Sequence, residues 1–261
     1  MPLPLPRVLA ALEALAPIRL AGGWDNVGLL LQGTREVARL GLCIDLTEPV
    51  ADELLAADVD LVVSYHPPLF GGRKRLTEAV PRDRTLLRLI RAGVHVYSPH
   101  SALDAAPRGM ADWLLDPFGA CSEVHPIAPD ALDPTVGAGR QAVLVRPRPL
   151  DELLPALAAH LGLRHLRVAG ASRDIGSVAV CPGAGGSLFE TVDAADLFLT
   201  GEMRHHDVLA RVEAGQCVVL TDHTNTERGY LPVFAGRLAE ATGLPVVRST
   251  VDADPLRVWS A

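Results

Sequence analysis

Aromatic residues are scarce: Phe, Tyr and Trp together make up 4% of the 261 residues. Ala, Leu, Val, Pro and Arg are plentiful instead, which is the bias of a GC-rich genome and not a functional signal. An excess of positive charge is also missing. The formal net charge of −7 argues against a broad phosphate-binding surface, because nucleic-acid affinity rests on clustered Lys and Arg. A local basic pocket stays open. The four cysteines (Cys43, Cys121, Cys181 and Cys217) form no C-x-x-C pair. Their spacing speaks against a thiolate zinc site or a disulfide framework and for reduced thiols. Glu13 interrupts the apolar stretch that follows Arg7, and no basic segment precedes a clean apolar run, so no signal peptide is expected. Nor does any stretch approach the ~18 uninterrupted apolar residues that a membrane helix needs. The default expectation is a cytoplasmic protein.

What is present is an ordinary globular balance, 49% hydrophobic and 21% charged, in a chain long enough for one large α/β domain or two small ones. Short apolar runs at 40–44, 61–63, 94–97, 177–180, 197–199 and 218–220 predict buried strands. They are continuously apolar and do not alternate, as expected where helices cover both faces of a mainly parallel sheet. Helix-like segments at 49–57, 84–92, 188–195, 207–213 and 230–241 lie between them, so the fold class is α/β. A stretch rich in Pro, Gly and Asp from 125 to 149 sets a soft boundary between lobes at 1–125 and 126–261. A duplication is suggested across it. Asp60-Leu-Val-Val-Ser64 runs into Tyr65-His66, as Asp196-Leu-Phe-Leu-Thr200 runs into Gly201-Glu202. Each is followed by an H-[ST]-x-x-[DE] element, His100 to Asp104 and His223 to Glu227.

Four of the strands end in histidines or acids: His66; His100 and Asp104; Glu202, His205 and His206; and Asp222, His223 and Glu227. Ligands of open α/β sheets bind outside the carboxyl ends of strands, so side chains distant in sequence can converge there. His223 and Glu227 share a face if a helix begins near Thr224, with Thr224 or Asn225 as its cap. Imidazole with carboxylate suits Zn, Mn, Fe or Co. Taken singly, a histidine after a strand is more often a hydrogen-bonded turn residue. The set of four strand ends favours a metal or catalytic site. His95, His125, His160 and His165 lack this context and read as structural or surface residues. Glu202, His205 and His206 could face substrate, or could form an exposed helix start.

The strand 178–181 runs into Gly183-Ala-Gly185-Gly186-Ser187, where glycine amides could approach an anion at a helix start. The spacing fits neither a dinucleotide fingerprint nor a Walker loop, and a plain tight turn is the slightly preferred reading.

The segments Trp24-Asp-Asn-Val-Gly28, Ser64-Tyr-His66-Pro-Pro-Leu-Phe70, Val96-Tyr-Ser-Pro-His100-Ser-Ala-Leu-Asp104, Thr200-Gly-Glu202-Met-Arg-His-His206 and Asp222-His223-Thr-Asn-Thr-Glu227 together resemble the Nif-three-like proteins, often described as GTP cyclohydrolase I type 2 homologues. The resemblance spans nearly the whole chain. It implies two similar, interlocked α/β lobes with mainly parallel sheets and a dinuclear metal centre in a cleft between them, in the short form without an inserted middle domain. It implies a homo-oligomer, a hexamer built as a trimer of dimers. It also implies metal ligands His66, Asp104, His223 and Glu227, with His100 behind them. Tyr65 stands where the family's first His of His-His-Pro would be. A phenol with a pKa near 10 is a poor ligand, so one or two divalent ions per chain (Zn, Mn or Fe) are expected.

The leading functional expectation is a metal-dependent hydrolase of a nucleotide or related phosphorylated small molecule. Glu202, His205 or His206 would move protons, and Gly183, Gly185, Gly186 and Ser187 would hold phosphate. The alternatives are a metal store, chaperone or insertion factor, favoured by Tyr65, and, more weakly given the acidic chain, a DNA-associated scaffold.

Overall fold

The computed structural model describes residues 1–259; residues 260 and 261, at the end of the second expected lobe, lie outside the described residues. From the start of the chain run α1 (Leu5–Leu15), β1 (Gly28–Leu31), β2 (Leu40–Cys43), α2 (Glu48–Ala56), β3 (Leu61–Ser64), α3 (Pro81–Ala92), β4 (His95–Ser98) and α4 (His100–Ala105). Proline stands in the first turn of α1, α2 and α3, where a missing N–H costs nothing, and Gly93 ends α3 in the left-handed conformation. Next come α5 (Met110–Trp113), β5 (Cys121–His125), β6 (Ala128–Pro129), β7 (Gly137–Ala138), β8 (Arg140–Pro149), α6 (Leu150–Leu161), β9 (Arg167–Ala169) and β10 (Asp174–Ala184). The chain continues through α7 (Gly186–Phe189), β11 (Leu197–Glu202), α8 (His205–Glu213), β12 (Cys217–Leu220), α9 (Leu231–Thr242) and β13 (Val246–Arg248). No described helix is long and apolar enough to cross a membrane.

These elements form two units, Met1–Leu103 with the chain from Leu231 onward, and Asp104–Tyr230. The first holds a five-stranded sheet in the order β1-β4-β3-β2-β13, parallel except for the β1 edge. Its core gathers Val62, Val94 and Val96 from the sheet with Val50, Leu54 and Leu89 from α2 and α3. The second unit holds a six-stranded sheet, β5-β8-β10-β11-β12-β9, with a parallel trio β10-β11-β12 between antiparallel flanks, and a small β6-β7 pair.

The lobe boundary expected near residue 125 falls elsewhere, for two reasons. The segment rich in Pro, Gly and Asp is not a linker: β5 pairs with β8, His125 opposite Gln141, within the second sheet. The C-terminal segment returns to the first sheet, where Val246 of β13 pairs with Leu40 of β2. All six expected strands are present. The helix expected at 188–195 shrinks to α7, because Thr191 and Val192 close three-residue turns onto Leu188 and Phe189.

The suggested duplication has a physical basis. Asp60 stands just before β3, and its Oδ2 accepts the amides of Ala38 and Arg39 at 2.8 and 3.0 Å, ahead of β2. Asp196 stands just before β11, and its Oδ2 accepts the amides of Gly176 and Ser177 at 2.9 and 3.0 Å in β10. Arg35 donates to Asp60 Oδ1, and Arg173 to Asp196 Oδ1. The backbone repeats as well. His95 N donates to Asp60 O at 2.9 Å, and Cys217 N to Asp196 O at 2.8 Å, so β2-β3-β4 corresponds to β10-β11-β12. His66 and Glu202 therefore occupy equivalent places, each two residues past the Ser64 or Thr200 of its strand. His100 matches Asp222, one residue out of step with the motif alignment, and both carry positive φ, 30° and 67°.

Replacing Asp60 with alanine strands the amides of Ala38 and Arg39 and leaves Arg35 to Asp58 and the Ala92 carbonyl. We expect a loss of about 3 kcal/mol, the sum of a few hydrogen bonds to a charged acceptor, read as a lowered midpoint of urea unfolding. A shift below about 0.5 kcal/mol, the scale of an ordinary surface substitution, would show that the clamp is dispensable.

Candidate metal centre

In the first unit, β3 ends at Ser64, and the chain turns so that His66 leaves the carboxyl end of the sheet. Ser64 Oγ donates to the His66 carbonyl at 2.7 Å, and His66 N donates to Ile44 O at 3.0 Å. The His66 Nδ1 lies 2.9 Å from Asp45 Oδ1, which follows β2. A carboxylate only accepts, so Nδ1 carries a proton, and Nε2 is the nitrogen left to act as a donor whenever the ring is neutral. The same arrangement recurs at His100, whose Nδ1 lies 2.8 Å from Asp25 Oδ1. Asp25 is fully enclosed at its side chain, and its other oxygen accepts from Ser101 N and Oγ. Burial by itself would raise the Asp25 carboxyl, but the bonds from His100 and Ser101 with the imidazole charge outweigh it and hold the group below its usual value.

Tyr65 is buried, with its ring 5.0 Å from that of His66 and 5.4 Å from that of His100. The His66 and His100 rings are 5.4 Å apart. A cavity of about 580 Å³ opens beside His66, lined in part by Asp45, Glu48, Arg73 and Arg82.

In the second unit, His223 and Glu227 come together, though not on the expected α-helix. His223 to Thr226 form a 3-10 turn introduced by Asp222 at positive φ, and α9 begins only at Leu231. Thr224 and Asn225 do not cap a helix; Asn225 Nδ2 donates to Thr221 O at 2.6 Å, and Thr226 Oγ1 to His223 O at 2.8 Å. His223 Nδ1 lies 3.0 Å from Glu202 Oε2, so this imidazole too presents Nε2. That Nε2 is 3.5 Å from Oε1 of the buried Glu227. Two ligand atoms each ~2.0–2.2 Å from one ion at a tetrahedral angle lie about 3.3–3.6 Å apart, so the pair fits a shared divalent ion. Burial pushes the Cys181 thiol far up, and the carboxylates of Asp104 and Glu227 act on it electrostatically in the same direction.

The glycine turn has another role than the one considered for it. Gly183 N donates to Thr226 Oγ1 and Gly185 N to Thr200 Oγ1, both at 2.8 Å, so these amides are spent inside the fold. The cavity of about 440 Å³ along Gly186 and Ser187 is lined by Glu190, Glu202 and Asp207 against Arg204, a poor setting for phosphate. Gly183 is at φ +60°, and a Cβ there would come within 3.0 Å of both His223 Nε2 and Glu227 Oε1. Its missing side chain makes room for those donors. Of the three proposed proton carriers, only Glu202 meets His223. His205 and His206 pair with each other on the exposed first turn of α8, and His205 lines a separate cavity with Arg167, Met203 and Val218. His95 is structural as expected, its Nδ1 accepting from Gly33 N and its Nε2 facing Arg35 O, both at 2.8 Å.

His66 in one unit, and His223 with Glu227 in the other, offer imidazole nitrogen and carboxylate oxygen, donor types that could hold a divalent metal ion. A profile of the Duf34/NIF3 (NGG1p interacting factor 3) family matches residues 4–255. The chain belongs to this NIF3 family. It is 39% identical to the Protein NIF3 homolog of Schizosaccharomyces pombe over 94% of both chains. It is 36% identical to NIF3-like protein 1 of Drosophila melanogaster over 97% of this chain and 88% of the relative. Among solved structures, a hypothetical protein of Staphylococcus aureus superposes with a TM-score of 0.85 at 22% identity, covering 99% of this chain and 100% of that one. Reduced HcgD from Methanocaldococcus jannaschii gives 0.83 at 23% identity, over 95% and 98%. At these identities the structural likeness speaks for the NIF3 fold alone.

Two outcomes follow for this NIF3 protein. Gly183→Ala should cost about 1–2 kcal/mol from the left-handed backbone alone and weaken metal retention, read by denaturation and by elemental analysis. Unchanged values for both would remove the role given to Gly183. Asp25, held low, contributes stability that is full above the ordinary carboxylate pKa of about 4 and fades as pH falls through its lower folded value. Asp25→Asn should therefore melt lower at neutral pH and lose less on acidification; parallel curves for the two proteins would contradict this.

Proposed function

We propose that this NIF3 protein is a metal-dependent hydrolase of a nucleotide or related phosphorylated small molecule, with His66, Asp104, His223 and Glu227 as its metal ligands. The observation that carries the reading is the treatment of the two candidate imidazoles. Asp45 and Glu202 each engage an Nδ1, fixing the tautomer that leaves Nε2 as donor and raising its basicity, as carboxylates behind metal-bound histidines do. The chemistry supplied by a divalent ion in such a set is Lewis acidity and a nucleophile available at neutral pH.

The chain's own residues supply the rest. Glu227, buried, gives a carboxylate whose desolvation a bound cation would offset. Glu202 is more than half exposed, so it can orient His223 and still exchange a proton with solvent. His100, held by Asp25, presents a second nitrogen for proton transfer beside His66. Arg82 brings positive charge to the cavity at His66, where Arg73 is tied to the buried Asp83. Of the acids there, Glu48 is neutralised by a two-pronged bond from Arg84 at 2.8 and 2.9 Å. That supports an anionic, phosphorylated substrate in place of the phosphate seat first considered at the glycine turn.

A metal-handling role is the second reading, favoured by Tyr65, whose buried ring backs His66 and His100 where the family's other imidazole would be. Elemental analysis of untagged protein separates the possibilities. We expect one or two ions per chain, lost in His66→Ala and His223→Ala, and nucleotide turnover with Mn or Zn abolished by His223→Ala. Turnover that survives that substitution sinks the hydrolase. A metal-loaded protein silent on a broad substrate panel, yet passing its ion to an apo-acceptor, establishes the second reading.

A further inference from the structure

Exposed aromatic rings are rare in this chain, yet two of them meet beside the candidate centre. Trp24 is 67% exposed and Phe70 46% exposed, with ring centroids 6.3 Å apart. Trp24 also lies edge-on to His100, centroids 5.8 Å apart, and His100 in turn lies against His66. Indole is usually buried, and leaving so much of it in water forfeits a large hydrophobic gain.

This indole is nevertheless held. Gly22 passes so close beneath it that a Cβ there would come within 2.6 Å of Trp24 Nε1, and Asp25, the next residue, is locked onto His100 and Ser101. Asn26 Nδ2 donates to Leu69 O at 2.6 Å, tying the Trp24 loop to the Phe70 loop. An exposed aromatic face, fixed on both sides and next to two histidines with oriented nitrogens, is a surface built to be covered.

We propose that Trp24 and Phe70 form a stacking seat for a nucleobase-sized planar heterocycle, carried by the molecule that reaches His66 and His100. The proposal rests on the reading of that centre as one that takes a nucleotide-like ligand, and it deepens it. A heterocycle offers a π-face to the indole whatever its hydrogen-bonding edge, so stacking gives affinity with little base preference. Arg82, in the cavity at His66, accounts for an anionic end of the same ligand. A heterocycle on Trp24 would lie against His100, which lies against His66, the histidine that lines the same cavity as Arg82. Protein–protein docking would also cover a tryptophan, but the approach to His66 and His100 favours a ligand of the site.

The test titrates the protein, as purified with its metal, with GMP, AMP and ribose 5-phosphate. Calorimetry and indole fluorescence are followed for the natural protein, Trp24→Leu, Trp24→Phe and Phe70→Leu. Both nucleotides should quench fluorescence, and Trp24→Leu should weaken them at least about fivefold, the low end of one base–aromatic stack. Trp24→Phe should keep most of the affinity, and ribose 5-phosphate should bind all four proteins alike and more weakly than the nucleotides. The proposal is overturned by nucleotide affinity that ignores Trp24→Leu, by ribose 5-phosphate binding as tightly as GMP, or by no nucleotide binding at all. A change of particle mass in Trp24→Leu, measured by light scattering, would reassign the face to a protein contact and also overturn it. Metal content is measured in parallel. Metal-free natural protein whose GMP affinity still depends on Trp24 would remove the metal reading and leave the stacking seat standing.

Discussion

Each sheet is registered by one carboxylate at the head of its middle strand. Asp60 and Asp196 take two successive amides of the neighbouring strand, while their own backbone carbonyls accept the first amide of the strand on the other side. Three strands are thus aligned from one residue. The alignment matters because a slip of one residue turns every side chain to the opposite face. What leaves the far ends of these strands is fixed by what is pinned at the near ends. His66 and Glu202 stand where they do because Asp60 and Asp196 set the count.

A second theme is the use of carboxylates to aim imidazoles. Asp45–His66, Asp25–His100 and Glu202–His223 are the same device in three different settings of exposure. The enclosed Asp25 gains most from its partners, since burial without them would favour its neutral form. Glu202, more exposed, orients with less cost and stays open to solvent. Glu227 differs in kind. It is buried, and its Oε1 faces the Nε2 of His223, the nitrogen that Glu202 leaves open.

Much of this was visible in the sequence, and the rest was invisible for definable reasons. The six strands showed as continuous apolar runs because parallel strands covered on both faces leave no alternation to read. The strand-end histidines and acids showed because open sheets expose their carboxyl ends. The return of β13 to β2 did not, since a three-residue strand in a chain's last segment carries no local mark of its distant partner. Nor did the turn at His223. An i, i+4 pair suggests an α-helix, yet Thr226, bonded to both the His223 carbonyl and the Gly183 amide, winds the segment tighter. Asp45 and Asp25 were passed over, although Asp45 ends a strand just as His66 does and could have been found by the same rule.

The duplicated frame explains why the two halves of the chemistry are unlike. Equivalent places carry His66 in one unit and Glu202 in the other, and His100 in one matches Asp222 in the other. A repeat preserves backbone hydrogen bonds because breaking one strands a buried polar group. Strand-end side chains carry no such penalty and are free to diverge. In the second unit, the place held by His66 in the first became the group that orients His223, and the donor role moved one residue past the match of His100. The positive φ at both His100 and Asp222 survived that change, because it belongs to the frame and not to the chemistry. Equal scaffolds thus carry unequal donors, an imidazole at His66 in the first unit and an imidazole with a carboxylate at His223 and Glu227 in the second.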